Sequence, residues 1–173
     1  MGCDIHLHVE VRPRKWKDDK WFHAAIYGEF SDRIYGMFYA LADVRGDYEG
    51  ITPHEPKGLP ENITGLTRRE LVLFVDDEFQ DEQGYCSKED AEKWVKEGYS
   101  KWYDNEKRMI IAPDWHSFSW CTADEIETAI NEVFKDKNGK WMGEPVEWYA
   151  LLKYMRAYEE MDYDVRAVFW FDN

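Results

Sequence analysis

The sequence predicts an α+β fold, in which a mainly antiparallel sheet includes the N- and C-terminal strands and packs with several helices. Apolar and polar residues alternate with period 2 at the start of the chain, and an aromatic stretch closes it. Between these two strands, apolar residues recur at helical spacing in several segments. No convincing linker divides the 173 residues, so we expect a single domain over residues 1–173.

The opening residues predict a strand followed by a hairpin. In residues 3–12 the apolar side chains of alternate positions, from Ile5 to Val11, point to one face and the polar side chains point to the other. The stretch RPRKWKDDKWFHAAI, residues 12–26, indicates a turn and a second strand, with a connecting loop longer than two residues.

A helix and a long loop are expected next. The helix begins at about Tyr35, with apolar residues at helical spacing, and ends at Gly46. Residues 46–66 contain several glycines and prolines, and a loop of about 20 residues in a small domain is often a lid or a binding loop. The segment TRRELVLFVDDEF, residues 67–79, then indicates a short helix or a mixed element.

The second half is predicted to be mostly helical. Ser87 and Asp90 form a capping pattern that opens a helix, and Thr122 with Glu125 forms a fuller capping box. The expected elements are, in order, a helix over 87–102, a strand over 107–112, a helix over 122–134, an amphipathic helix over 144–161 and a closing strand over 164–173.

Acidic residues dominate the charge of the chain. Asp and Glu number 36 against 22 Lys and Arg, which gives a formal net charge of -14. Phosphate backbones and anionic lipid surfaces both attract clustered cations, so this balance argues against direct nucleic-acid binding and against a membrane partner. It leaves a well-solvated surface, or an acidic face that meets a basic partner protein.

The chain is expected to be cytoplasmic. No basic region followed by an apolar stretch marks a signal peptide, and no apolar run approaches the roughly 20 residues that span a bilayer. The three cysteines, Cys3, Cys86 and Cys121, show neither a disulfide framework nor a metal-binding pair. They are expected to be free, buried thiols in a reducing compartment.

Histidine and aspartate alternate at two places in the sequence. On the first strand Asp4, His6 and His8 project from one face, and an H-x-H pair at that spacing can reach one metal ion. In APDWHSFSW, Asp114 and His116 repeat the pattern between a predicted strand and a capping box. Loops in that position commonly carry function, and the start of a helix favours an anion.

Together the two clusters predict a metal-dependent hydrolase. His6, His8 and His116 are the expected ligands of a divalent metal, and Asp4 and Asp114 are the expected catalytic or supporting carboxylates. A mixed histidine and carboxylate set suits Zn, Mn or Fe. Such an ion lowers the pKa of a bound water, which then attacks a phosphoester or nucleotide-like substrate.

Plainer interpretations stay open for the same residues. The polar row of the first strand, continued by Glu10 and Arg12, can be the ordinary solvated face of an antiparallel sheet, and His116 can be a structural histidine. A metal-free acid–base pair of His6 or His8 with His116 is a further alternative. The chain lacks, however, the Ser or Thr that two-histidine phosphoesterases carry two residues after each histidine.

An anion-binding wall is expected beside the histidines. Arg33 and Arg45 bracket the first predicted helix, and with Tyr35 they can hold a carboxylate or phosphate of the substrate through bidentate bonds. Ser117 and Trp120 complete the expected substrate-binding residues. Structural ion pairs between the two arginines and nearby aspartates are the alternative.

The closing strand places Arg166, Val168, Trp170 and Asp172 on one face. Strands at both ends of the chain make it economical for the last strand to lie beside the first. Arg166 or Trp170 would then flank the histidine row, with ordinary sheet packing as the alternative interpretation of both residues.

Several stretches together carry a family resemblance: MGCDIHLHVE, FSDRIYGMFYALADVR, GLP at residues 58–60, DWHSFSW and VRAVFWFDN. With them the chain resembles a family of small uncharacterised bacteriophage and bacterial proteins that begin MGCDIH. The matched stretches cover nearly the whole chain except residues 66–110. The resemblance implies a cytoplasmic protein of phage or prophage context.

Two functions are therefore expected as alternatives. The first is the metal-dependent hydrolase, acting on a small anionic substrate. The second is a non-enzymatic acidic phage protein that binds a host defence protein or sequesters a small anionic ligand, as the phage context implies.

Overall fold

The computed structural model describes residues 2–24, 30, 32–136 and 138–172. Contacts group the chain into two compact units, which are treated separately below. The first unit comprises Met1–Thr64 and His116–Asn173, and the second comprises Gly65–Trp115. The predicted strand positions Ala25 and Ile26, and the last predicted strand position, Asn173, lie outside the described residues.

Helices and strands alternate irregularly along the chain, and their order confirms the predicted α+β class. They are β1 (Ile5–Pro13), β2 (Phe22–His23), α1 (Tyr35–Ala42), α2 (Gly65–Leu71), β3 (Val72–Val75), β4 (Tyr85–Cys86), α3 (Lys88–Glu97), β5 (Met109–Ile111), β6 (His116–Cys121), α4 (Ala123–Phe134), α5 (Val146–Glu160) and β7 (Tyr163–Phe171). No helix in the part of the chain that the structure describes is long and apolar enough to cross a bilayer.

The first unit is built on a four-stranded antiparallel sheet in the order β2-β1-β7-β6. The terminal strands β1 and β7 are neighbours over nine residue pairs, from Ile5 opposite Phe171 to Pro13 opposite Tyr163. This confirms the prediction that both chain ends belong to one sheet. Because side chains alternate along each strand, the pairing also fixes which residues of β1 and β7 share a face.

One face of this sheet packs on α1, α4 and α5 and forms the main core. Large aromatic and aliphatic side chains supply most of it, and the largest of those completely buried are Met37, Phe38, Ile126, Ile130, Trp148, Leu151, Met155, Phe169 and Phe171. The apolar alternation of β1 therefore has the partner that a half-buried strand requires.

The Gly- and Pro-rich segment after α1 is attached to the first unit at several points. The backbone N–H of Lys57 donates to Ser119 Oγ at 3.1 Å, and that of Gly58 donates to the carbonyl of Phe118 at 2.9 Å. At its end, the N–H of Thr64 donates to Glu10 Oε1 at 2.7 Å. The segment thus runs along the edge strand β6, where it satisfies backbone groups that would otherwise stay unpaired.

Several predicted boundaries differ from the structure. The helix expected to end at Gly46 ends at Ala42, because Asp43 adopts a left-handed conformation (φ +54°) and its N–H caps the last turn. The helix expected over 87–102 ends at Glu97, because Gly98 adopts a left-handed conformation (φ +80°) and its N–H caps the last turn. Residues of DWHSFSW, expected in a loop, form the edge strand β6 instead. The alternation of His116, Phe118 and Trp120 with smaller side chains was the available signal for that strand.

The second unit contains α2, α3 and a three-stranded sheet in the order β4-β3-β5. The expected mixed element over 67–79 is a helix, α2, followed directly by the strand β3. Ser87 caps α3 by accepting the N–H of Asp90. The helix packs on one face of the small sheet, where Cys86, Ala91 and Ile110 form a separate buried cluster.

The three cysteines are buried free thiols, as the sequence predicts. Burial raises the pKa of Cys86 to about 11, with Asp90 and Asp77 adding to the shift. Burial also raises the pKa of Cys121. Both thiols therefore stay protonated near neutral pH and behave as small apolar side chains.

Candidate functional site

The second face of the four-stranded sheet collects polar and aromatic side chains. Because β1 and β7 are antiparallel, His6 lies opposite Trp170 and Glu10 lies opposite Arg166. Glu10 and Trp170 are completely buried. The interpretation of this row as an ordinary solvated face therefore does not hold for Glu10, and the closing strand does flank the histidines.

Glu10 and Arg166 form a buried ion pair at the centre of this face. The Nε and Nη2 atoms of Arg166 donate to Glu10 Oε2 at 2.9 and 2.7 Å. Arg166 Nη2 also donates to the carbonyl of Asn62, and Glu10 accepts from Thr64. Burial lowers the pKa of Arg166, and the hydrogen bonds that Arg166 donates to Glu10 oppose that effect. The pair joins two strands and the end of the long loop.

His6 and His8 stack on Trp170, and His23 contacts His8; we call these three histidines the histidine cluster. The ring centroid of Trp170 is 6.0 Å from that of His6 and 5.3 Å from that of His8, with both pairs stacked. The rings of His8 and His23 meet edge to face at 5.2 Å. His23 comes from β2, opposite Glu10, and was not among the residues predicted for a site.

The hydrogen bonds of His23 determine which ring donates in its hydrogen bond with His8. Its Nδ1 lies 2.7 Å from the carbonyl oxygen of Ala24, and because a carbonyl only accepts, this nitrogen carries a proton. In the neutral ring Nε2 then accepts, so His8 donates from Nδ1 over 2.9 Å. Both nitrogens of His23 are therefore used inside the protein.

His6 and Asp4 each interact with a charged side chain, Asp172 and Arg33 respectively. His6 Nε2 lies 3.5 Å from Asp172 Oδ2, and the N–H of Asp4 donates to the other oxygen of that carboxylate at 2.7 Å. The Asp4 carboxylate accepts two bonds from Arg33, at 2.5 and 2.7 Å. This bidentate pair lowers the pKa of Asp4. Asp4 and Arg33, predicted as a catalytic carboxylate and a substrate ligand, thus bind each other.

His116 lies on a different strand and makes its own hydrogen bonds. It is opposite Phe171 on β6, which β7 separates from β1, so its backbone is about 10 Å from that of β1. Its Nε2 donates to the carbonyl of Asp172 at 3.2 Å, and its Nδ1 accepts from Ser117 Oγ at 3.0 Å. Ser117 therefore binds the histidine, and its φ of +51° accompanies an irregularity in the strand pairing.

The structure does not bring the predicted metal ligands together. Within the described residues, no group of three or more His, Cys, Asp or Glu side chains is arranged to hold a metal ion. His6, His8 and His116 consequently form no such group. Asp114 belongs to the second unit, where its side chain is exposed. The Zn, Mn or Fe ion stays a prediction from the sequence.

The other predicted substrate ligands also lie apart. Arg45 Nη2 donates to the carbonyl of Gly2 at 3.1 Å, so that it holds the N-terminal segment. Tyr35 packs on the core beside Phe38, with ring centroids 5.6 Å apart. Trp120 is the one member of the predicted set that lines the cleft described next.

A cleft of about 300 Å³ opens beside the buried pair, where the β1 and β7 ends meet α5. We call it the arginine cleft. Its lining consists of three arginines, two tryptophans, two carboxylates and two smaller residues: Arg12, Arg14, Arg166, Trp21, Trp120, Glu159, Asp164, Thr122 and Val165. This volume is at the lower end of the range for small-molecule sites.

Trp21 and Asp164 position the guanidinium groups of the cleft. The Cζ atom of Arg166 lies 4.0 Å from the Trp21 ring centroid, and that of Arg12 lies 4.9 Å from it. Asp164 accepts from Arg12 at 2.8 Å and from Arg14 Nε at 3.3 Å. Stacking on an aromatic ring holds a planar guanidinium while leaving its edge able to donate.

Arg14 differs from its two neighbours because it is only loosely held. Its side chain is 47% exposed, and its Nη1 lies 3.8 Å from Asp162, beyond hydrogen-bond distance. Among the described residues, its terminal nitrogens donate no hydrogen bond. These nitrogens are therefore positioned to bind an incoming carboxylate or phosphate.

The sequence contained a signal for this cleft, but the predicted site was based on the histidine pattern instead. Five of the 22 basic residues lie between positions 12 and 20, although the chain is strongly acidic. That local excess of positive charge marks an anion-binding candidate. Its partners Asp164 and Arg166 are 150 residues away, and only the pairing of β1 with β7 brings them there.

No protein-family model, curated protein or solved structure matches this chain. Its function is therefore inferred from the geometry of the first unit.

Proposed function

We propose that the arginine cleft binds a small phosphate-bearing ligand of the nucleotide type, and that the protein acts by sequestering it. The observation that carries this proposal is the convergence of three guanidinium groups and two indole rings on one cleft. The lining holds three arginines against two carboxylates. Because Arg12 is also bound by Asp19 and Arg166 by Glu10, Arg14 is the arginine available to an anion.

The phosphate of the ligand is assigned to Arg14, with Arg12 beside it. Arg14 has terminal nitrogens available, and Arg12 is fixed by Asp164 and Trp21. A guanidinium fork matches two phosphate oxygens and binds them more strongly than a neutral donor does. Arg166 is buried against Glu10 and contributes charge at the cleft wall.

The aromatic part of the ligand is assigned to Trp120. This residue lines the cleft from β6, and Lys57 Nζ lies 4.2 Å from its ring centroid. An indole gives a nucleobase a flat apolar surface, and stacking of that kind does not depend strongly on base identity. Nucleobase identity is therefore expected to matter less than the phosphate.

Distance favours binding over hydrolysis at this cleft. His8 precedes Arg12 by four residues of the same strand, which is about 13 Å at roughly 3.3 Å per residue. An acid or base must lie within hydrogen-bond reach of the atom it serves. His8 is therefore too far from a phosphate held by Arg12 and Arg14 to act on it, and the closer His23 uses both ring nitrogens in bonds to His8 and Ala24.

Isothermal titration calorimetry tests the proposal with AMP, GMP, adenosine and inorganic phosphate as ligands. We expect both nucleotides to bind more tightly than adenosine or phosphate alone. Arg14→Gln should weaken AMP binding about tenfold to a hundredfold, which corresponds to one lost charge-assisted hydrogen bond. The matched control is Arg108→Gln, an equal charge change at an arginine that is 69% exposed in the second unit, and it should leave AMP binding unchanged.

Two results would contradict the proposal. One is the absence of binding by either nucleotide, and the other is an equal loss in both variants, which indicates unspecific electrostatics. Phosphorus NMR of the same mixtures distinguishes binding from hydrolysis. Unchanged AMP supports sequestration, whereas release of inorganic phosphate that is lost in His6→Ala and His116→Ala supports the hydrolase predicted from the sequence.

A further inference from the structure

The small sheet of the second unit has one face covered by α3 and one that exposes aromatic rings. Leu73 and Val75 point to the helix side. On the other side, Phe74 pairs with Tyr85 across β3 and β4, and with Met109 across β3 and β5. Phe74 remains 41% exposed, although it lies on the central strand of its sheet.

Phe79 extends this aromatic surface. It follows β3 in the turn to β4 and is also 41% exposed. Its ring centroid and that of Phe74 each lie 5.7 Å from the centroid of Tyr85. We call Phe74, Phe79 and Tyr85 the aromatic patch. Large exposed rings that contact one another are typical of interaction surfaces.

The turn that carries Phe79 is rich in carboxylates. It contains Asp76, Asp77, Glu78, Asp81 and Glu82, all of them exposed. Among the described residues, none of the five forms an ion pair with a Lys or Arg. The turn is ordered by its own backbone, since Glu82 N–H donates to Phe79 at 2.8 Å and Phe79 N–H donates to Asp76 at 3.3 Å. Asp76 and Asp77 accept the backbone N–H groups of Glu78 and Lys88 at 3.0 and 2.8 Å. Glu78, Asp81 and Glu82 are therefore the carboxylates of this turn best placed to bind a partner.

We infer that the aromatic patch and its acidic turn bind an arginine-bearing segment of a partner protein. A guanidinium can stack on an aromatic face and donate to a carboxylate at the same time, and both groups are present here. The positive charge of such a segment complements the exposed carboxylates of the turn. The site is separate from the arginine cleft, so it does not depend on the function proposed for that cleft.

A comparison of lysine with arginine separates the role of the aromatic patch from that of charge alone. An ammonium group satisfies a carboxylate as a point charge, but it lacks the planar fork that stacks and bonds in two directions. If charge alone attracted the partner, arginine and lysine segments would bind equally. The aromatic patch therefore predicts a preference for arginine.

Fluorescence anisotropy tests this with two labelled peptides of equal length and charge, one of alternating Arg and Ala, the other of alternating Lys and Ala. We expect the arginine peptide to bind the intact protein more tightly than the lysine peptide. Phe79→Ala should weaken binding of the arginine peptide about twofold to fivefold, which corresponds to one exposed cation–π contact. Binding should also weaken in salt, because the carboxylates are exposed.

A charge variant tests the acidic turn without altering the rings. Glu78→Gln, Asp81→Asn and Glu82→Gln combined should weaken the arginine peptide more than a control triple, Glu49→Gln, Glu55→Gln and Glu61→Gln. The control removes as many charges from exposed positions of the first unit. Absence of binding, equal affinity of the two peptides, or equal effects of the two triple variants would each overturn the inference.

Discussion

Glu10 shows how one buried side chain organises the polar face of the first unit. Its two oxygens bind Arg166 on the neighbouring strand and the backbone of Thr64 at the end of the long loop. A carboxylate that is completely buried is tolerated only when charge and hydrogen bonds compensate its lost hydration. Glu10 is therefore expected to matter more for stability than the exposed carboxylates do.

Glu10→Gln should destabilise the protein by about 3–5 kcal/mol, because it leaves the buried Arg166 without an anion. The double variant Glu10→Met, Arg166→Met should recover part of that loss, since two apolar side chains carry no buried charge. Urea unfolding at neutral pH measures both. A Glu10→Gln protein within about 0.5 kcal/mol of the original, the usual range of a surface substitution, would contradict this account.

The start of α4 is stabilised by Glu125, which acts beyond its own helix. In the capping box its side chain accepts from Thr122, and it also binds Lys57 Nζ at 2.5 Å. Burial alone would raise the pKa of Glu125, but the hydrogen bonds from Lys57 and Thr122 outweigh burial and lower it. The ionised carboxylate thus favours the folded protein.

Glu125→Gln should therefore have a pH-dependent effect. Because the folded pKa is below the unfolded value of about 4.3, the contribution of the carboxylate is present above that value and is lost as the pH falls through the folded pKa. We expect a loss of about 1 kcal/mol at neutral pH, which shrinks below about pH 4. Denaturant titrations over this range, with Glu132→Gln of the same helix as control, test it. A loss that is constant with pH would contradict the assignment.

Gly98 determines where α3 ends. Its φ of +80° is costly for other residues, whereas open space surrounds the position of a Cβ. Gly98→Ala should cost about 1 kcal/mol, while Gly65→Ala, which also meets open space but has no positive φ, should be neutral. Thermal unfolding of the two variants compares them. Equal effects of both substitutions would show that the backbone conformation is not the cause.

At the scale of the whole molecule, local patterns predicted elements and missed the contacts between them. The alternation around Ile5 predicted the first strand, and the capping box at Thr122 predicted α4. Both patterns are formed by residues close together in the sequence. The burial of Glu10 and the separation of His116 from His6 depend on strand register. Register arises here from pairing between strands that are distant in the sequence, such as Glu10 with Arg166 and His116 with Phe171, which a single sequence does not display.

The same dependence on distant residues explains why the candidate site in the structure differs from the one predicted from the sequence. Histidines at alternate positions were visible in the sequence, and in the structure two of them stack on Trp170 while His23 contacts His8. The arginine cleft required Arg14 from the start of the chain to meet Asp164 from its end. The anion-binding candidate thus consists of a basic segment near the start of the chain and residues near its end that only the fold brings beside it.

The central claim, that the arginine cleft binds a nucleotide-type ligand, is tested most directly by nitrogen-15 NMR of the tryptophan indole N–H groups during titration with AMP. Signals are assigned with single Trp→Phe variants. We predict saturable shifts for Trp21 and Trp120, which line the cleft, and unchanged signals for Trp94 and Trp102, which pack in the core of the second unit. Unchanged Trp21 and Trp120 signals at saturating AMP, or shifts confined to the second unit, would contradict the claim.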